Sequence, residues 1–132
     1  MTYLLDANAL IALGLSSHVF HRRMEAWVAG LRTEDGIATS AITELTFVRV
    51  IPQLPGISVD VAQAKELLRR LKGQRRRRVQ LLADALGADA LPAWVRNTKQ
   101  TTDGHLAALA RMHAAILATL DAKIPGAFNV PS

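Results

Sequence analysis

The sequence predicts an α/β fold, with helices layered around a small, mostly parallel β-sheet. Short apolar or β-branched runs alternate with longer stretches of helical periodicity from one end to the other, the pattern of strand–helix–strand units. The chain has 132 residues, 50% hydrophobic and 20% charged, which suits one globular domain over residues 1–132 with a core of its own. No internal repeat, low-complexity tract or linker interrupts it.

The elements follow in order. Thr2 to Leu5 reads as a buried strand ending at Asp6, and Ala7 to Leu15 as a helix. His18 to Arg32 is a second helix, with Phe20, Met24, Trp27, Val28 and Leu31 at helical spacing. Glu34-Asp35-Gly36 is a turn, and Ile37 to Thr39 a second strand. Ser40 caps a helix whose stripe is Ile42, Leu45, Val48 and Ile51, and Pro52 stops it. After a loop through Pro55-Gly56, Ser58 or Asp60 caps a helix carrying Leu67, Leu68 and Leu71, which ends at Lys72-Gly73. Val79 to Leu82 is a third strand, Gly87 to Pro92 is irregular, and Trp94-Val95 is a short helical turn. Thr101 or Thr102 caps a helix to about His113, Ala115 to Leu120 is a strand ending at Asp121, and Ala127 to Val130 is a last edge strand.

Composition excludes several chemistries. With no cysteine there is no disulfide framework, thiolate zinc site or cysteine nucleophile. No apolar run is long enough for a membrane span, and the opening Met1-Thr2-Tyr3-Leu4-Leu5-Asp6 has no basic leader. A soluble cytoplasmic protein is the expectation. Net charge is +5, split unevenly: residues 1–66 hold 5 basic and 7 acidic side chains (−2), residues 67–132 hold 11 and 4 (+7). Seven of the basic residues lie between Arg69 and Arg78. Such a field suits a polyanion, as nucleic acid, or else is a solvated surface. Arg75 to Arg78 are candidate phosphate contacts on the first view. Aromatic content of 5% argues against a base-stacking platform.

The acids are the most informative side chains. Asp6 and Asp121 each end a strand, Asp103 lies in the first turn of a capped helix, and Glu44 lies in the first turn of the helix after the second strand. Ligands of open α/β sheets collect at the carboxyl ends of the strands, so all four carboxylates can reach one rim. Taken singly, Asp103 and Glu44 are ordinary helix-start acids. Asp6 and Asp121 are harder to dismiss, because an acid closing a buried strand needs a partner. Clustered carboxylates repel and call for protons or a cation, and an all-oxygen set favours Mg²⁺ or Mn²⁺ over Zn²⁺. Beside a basic surface, such an ion suggests phosphodiester cleavage.

Four segments resemble one family. Leu4-Leu5-Asp6-Ala7-Asn8 is similar to the opening Asp-x-Ser/Asn motif of PIN-domain ribonucleases, of the VapC kind found as toxins in type II (VapBC) toxin–antitoxin pairs. Thr43-Glu44-Leu45 resembles the family's helical glutamate, Thr102-Asp103-Gly104-His105 its helix with the third acid, and Ala118-Thr119-Leu120-Asp121 its last acidic strand end. All four occur in family order and spacing, over essentially the whole chain. The resemblance implies a PIN-like fold and metal-dependent endonucleolytic cleavage of RNA. It implies that Asp6, Glu44, Asp103 and Asp121 bind Mg²⁺ or Mn²⁺, with Asn8 and Thr119 as supporting polar residues. It further implies a small antitoxin partner lying over the site, and a homodimer or toxin–antitoxin hetero-oligomer built partly on the early helices. Two positions depart from simple expectation: Gly104 sits inside a helix, costing ~1 kcal/mol against alanine, and His105 is polar where an apolar residue packs more simply.

Rival readings remain at this point. One is a basic nucleic-acid-binding module without turnover, its acids structural. Another is a catalytically weak protein that acts by binding an antitoxin and, with it, DNA. A receiver-type phosphotransfer domain also has strand-end acids, but no suitable strand-end lysine is present. The four histidines show no ligand spacing and read as surface or cap residues.

Overall fold

The computed structural model describes residues 1–73 and 76–132. Strands β1 (Thr2–Leu5), β2 (Gly36–Thr39), β3 (Val79–Leu81), β4 (Ile116–Thr119) and β5 (Phe128–Asn129) form one sheet in the order β3-β2-β1-β4-β5. Every neighbouring pair is parallel, so the expected mostly parallel sheet is fully parallel. Helices α1 (Ala7–Gly14), α2 (His21–Ala29), α3 (Ala41–Val50), α4 (Val61–Gly73) and α5 (Thr101–Met112) supply the crossovers. From the central β1 the chain builds outward to β2 and β3, then returns to place β4 and β5 on the other side. The order reverses between β1 and β4, and such a switch point opens a crevice at the strands' carboxyl ends.

Alternation along each strand divides the core. Leu5, Ile37 and Ala118 face α1 to α4, where they meet Leu10, Leu13, Met24 and Phe47. Leu4, Ala38 and Leu117 face α5, against Leu106 and Leu109. The two sets occupy successive positions on their strands, as the two-residue period of a pleated strand requires. Tyr3, Trp27 and Phe128 pack ring on ring at 5.1 to 5.6 Å and hold α2 to the sheet. Gly14 is demanded by packing: a Cβ there would lie 2.7 Å from Phe47 and 2.9 Å from Leu71.

Several local expectations are corrected. The second helix covers His21–Ala29 rather than His18 to Arg32, because the His18 imidazole accepts from Phe20 N (3.0 Å) and closes a turn before the helix starts. On α3 the buried positions are Thr43 and Phe47, followed by Ile51, while Leu45 is 66% exposed. Asp60, not Ser58, caps α4, in a reciprocal box with Gln63 at 2.8 Å each way. Neither Thr101 nor Thr102 caps α5. A single turn of 3-10 helix, Thr98–Gln100, runs straight into it, and Thr101 Oγ1 donates to Thr98 O. Trp94 and Val95 belong to a tight turn closed by Val95 N on Pro92 O at 3.0 Å. No helix among the described residues is long and apolar enough to cross a membrane.

Candidate active site

The strands' carboxyl ends gather the acids. Asp6 follows β1, caps α1 by accepting from Ala9 N (2.9 Å), and is only 6% exposed. Its second oxygen accepts from the Thr119 hydroxyl at 2.5 Å. That hydroxyl in turn accepts from Asp121 N at 2.9 Å. The backbone after β4 is thereby tied through one buried threonine to the carboxylate after β1, across the switch point. Asp121 is exposed and turns back to accept from Lys123 N (3.0 Å). Asp103, in the first turn of α5, lies near enough to the other two for its charge to act on Asp6 and for the charge of Asp121 to act on it.

These three aspartates feel one another's charge. Burial pushes the Asp6 carboxyl above its ordinary range; Thr119 and Ala9 N oppose the shift, and Asp103 and Asp121 add to it. Asp103 is pushed up by burial and then by Asp121. No three His, Asp or Glu side chains among the described residues are already drawn close enough to hold an ion together. The repulsion itself is what a hard cation would relieve, and the donors are all carboxylate oxygens. The residues therefore fit Mg²⁺ or Mn²⁺.

Glu44 stands beside this trio rather than within it. A reciprocal box between Ser40 and Thr43 starts α3 at the carboxyl end of β2 and places Glu44 in the first turn. Its Oε2 accepts from the Thr39 hydroxyl (2.5 Å) and from Lys72 Nζ (2.6 Å). Thr39 ends the strand next to β1, so the glutamate is one strand over from Asp6. Asn8 is exposed on the first turn of α1, and its side chain makes no hydrogen bond among the described residues.

Some positions acquire roles the sequence did not signal. Lys72 is one, since nothing in its spacing names Glu44 as its partner. Gly104 is another: a Cβ there would lie 2.2 Å from Val95 Cγ2 and 3.3 Å from Pro92 Cδ. The glycine lets α5 sit against the turn before it, which sets where Asp103 points. His105 faces Asp84, Nε2 to Oδ2 at 2.5 Å. This hydrogen bond holds the Asp84 carboxyl below its usual range and straps the segment after β3 to α5. His21 and His113 bond to backbone carbonyls of Ala12 and Ala83 (2.8 and 2.7 Å).

The basic run is corrected in part. Arg75 lies outside the described residues. Arg77 donates to the carbonyls of Leu31 (3.1 Å) and Asp35, beside Gly36 at the amino end of β2. That end is separated from the carboxylate rim by the length of the four-residue β2, roughly 13 Å at ~3.3 Å per residue. Arg77 is a clasp for the loop before β2.

A parallel sheet with an acidic switch point defines the class of protein, and comparison defines the family. The chain belongs to the PIN-domain family, whose model matches residues 3–127. It is similar to ribonuclease VapC38 of Mycobacterium tuberculosis, 38% identical over 125 residues, covering 92% of this chain and 86% of that protein. Ribonuclease VapC44 of the same species is 38% identical over 128 residues, covering 94% and 89%. Among solved structures, Mycobacterium tuberculosis VapC20, a sarcin–ricin-loop-cleaving toxin, superposes with TM-score 0.63 at 15% identity over 92% of each chain. VapBC-1 of nontypeable Haemophilus influenzae gives 0.62 at 22% over 93% of this chain and 89% of that one. At those identities the two structures speak to the fold alone.

Proposed function

We propose that this protein is a divalent-metal-dependent endoribonuclease and the toxin of a VapBC-type pair. The observation that carries the reading is the mutual charge of Asp6, Asp103 and Asp121, brought to one switch-point rim from two strand ends and a helix start. Relatives at 38% identity over more than nine-tenths of the chain, both named ribonuclease VapC, support it.

Asp6, Asp103 and Asp121 would hold Mg²⁺ or Mn²⁺, with Glu44 as the fourth acid. When bound, such an ion supplies neutralising charge and Lewis-acid activation for phosphodiester hydrolysis. The chain's own groups do the positioning. Thr119 and Ala9 N fix the Asp6 carboxylate from two sides, so one oxygen pattern faces the crevice. Exposed Asp121 and half-buried Asp103 retain freedom to turn toward it. Glu44, steadied by Thr39 and Lys72, is placed to accept a proton from water or to orient it. Asn8 offers an exposed amide beside Asp6 for substrate or water. No side-chain nucleophile is required.

The partner is a small antitoxin covering this rim. Val19, 83% exposed, and Phe20, 41% exposed, leave apolar surface at the start of α2 for such a chain.

The deciding experiment is RNA cleavage by antitoxin-free protein with Mn²⁺, run beside EDTA and Asp6→Asn. Cleavage lost in both controls supports the assignment. Full cleavage by Asp6→Asn refutes the site, and metal-independent RNA binding without cleavage favours the binding module.

A further inference from the structure

A groove of about 830 Å³ lies between α3, α4 and the open edge of β3. It begins at Glu44 and Lys72, so it is continuous with the acidic rim. Its floor is aliphatic, with Leu45 and Leu81 both more than half exposed. Its walls carry Lys65, Arg69, Lys72 and Arg78. Lys65, Arg69 and Lys72 recur at helical spacing on one face of α4 and span roughly 10 Å along its axis at ~1.5 Å per residue. Lys72 faces Glu44, Arg69 shares Glu66 with Arg70, and Lys65 has no partner among the described residues.

We propose that this groove is the path of the RNA strand beside the scissile phosphate, a reading that rests on the nuclease function above. The chemistry matches a single strand in two ways. Phosphates meet the cations, whose contacts release counterions. Unstacked bases and riboses meet Leu45 and Leu81, an apolar contact that reads no base edge. A duplex would keep its base faces stacked away from that floor. A second copy of this chain is disfavoured, because a two-fold contact sets the same patch against itself and would bring one cationic wall onto the other. The strand leaves the acids along α4, which gives the basic second half of the sequence a role that Arg77 does not fill.

The test uses a fluorescein-labelled single-stranded RNA of ~12 nucleotides, within the range of known single-strand sites. Binding is followed by anisotropy in EDTA across a salt series, so that nothing is cut. Lys65→Ala/Arg69→Ala is compared with Arg22→Ala/Arg111→Ala, an equal loss of exposed charge elsewhere. Two lost phosphate contacts at ~0.7 each flatten the slope of log K against log salt by about 1.4, equivalent to about 25-fold weaker binding at ~0.1 M salt relative to ~1 M. Leu45→Ser weakens binding without changing the slope. Equal slopes in the two double variants overturn the groove assignment. Wild-type cleavage with Mn²⁺ is scored in parallel. Cleavage with equal slopes rejects the groove and leaves the nuclease standing, whereas wild type that neither cleaves nor binds rejects both.

Discussion

Thr119→Val removes one hydroxyl and with it both links across the switch point. The Thr119 side chain is 1% exposed, and it donates to Asp6 at 2.5 Å while accepting from Asp121 N at 2.9 Å. Valine fills the same volume, so no cavity opens and the loss is polar. A hydrogen bond to a charged group is worth ~1.5–3 kcal/mol and a neutral one ~1 kcal/mol. The Asp121 amide lies at a half-open rim where water substitutes for part of the second. The expected loss is about 2–4 kcal/mol, a large share of a stability of ~5–15 kcal/mol. The pH dependence follows from Asp6. Burial raises its folded-state value, so the folded protein holds a proton there that the unfolded chain has released. Stability of the metal-free protein therefore falls as pH rises from ~4 through that raised value. Thr119 favours the carboxylate over the acid, and its removal raises the value further. The deficit of Thr119→Val is then largest above the Asp6 transition and shrinks as pH falls through it. Urea unfolding in EDTA, read by Trp27 and Trp94 fluorescence at one pH above and one below that transition, measures this. Thr119→Ser should restore most of the stability. A deficit that is the same at both pH values, or a serine variant as unstable as valine, would refute the reasoning.

The other predictions test separate parts of the assembly. Mn²⁺ at about 100 times its Kd should stabilise the wild type by about 2.7 kcal/mol, seen as a rise in Tm, and Asp103→Asn and Asp121→Asn should each lose most of that rise. Gly104→Ala sets a methyl 2.2 Å from Val95; overpacking of ~1–3 kcal/mol outweighs a helix gain of ~1 kcal/mol, so Tm falls and cleavage falls with it. Lys72→Met should strengthen Mn²⁺ binding several-fold by calorimetry without RNA, because it removes a cation at 2.6 Å from Glu44; unchanged or weaker binding would place Glu44 outside the ion's reach. Arg77→Met should cost about 1–3 kcal/mol through the two carbonyls it leaves unpaired, while the salt dependence of RNA binding stays as in wild type.

The strand-end aspartates were legible because buried strands seldom end on an unpaired acid, and the order of short runs fixed which ends share a rim. Asp103 was legible only as a first-turn acid, and its cap was misassigned to Thr101 or Thr102. The 3-10 turn Thr98–Gln100 feeds α5 its carbonyls directly, and that lead-in has no side-chain signature. Leu45 was placed in the core stripe of α3 by periodicity, yet α3 buries its Thr43 and Phe47 face and leaves Leu45 outward. A short helix with apolar residues all round gives periodicity little to choose between. Gly104 looked like a defect in a helix until Val95 and Pro92 were placed against it. Lys72, Asp84 and Arg77 act through partners 28, 21 and 42 residues away, and a single sequence has no means of pairing them.

Site and stability oppose one another in this fold. The metal-free rim gathers three aspartates, of which Asp103 and Asp121 raise the proton affinity of Asp6 and Asp121 that of Asp103, a cost the rest of the molecule must absorb. The compensation is visible nearby. Ala9 N and Thr119 donate to Asp6 and oppose the rise that burial causes. Glu44 is neutralised by Lys72 and so does not add a fourth repelling charge. The aspartates are kept apart enough that no three already form a cage, and the two with the most exposure, Asp103 and Asp121, are the ones free to move. An ion that offsets this repulsion should draw the rim closed. Metal binding and rim closure should therefore be one event. Hydrogen exchange of the Asp121 and Lys123 amides should slow on adding Mn²⁺ in the wild type and stay unchanged in Asp6→Asn.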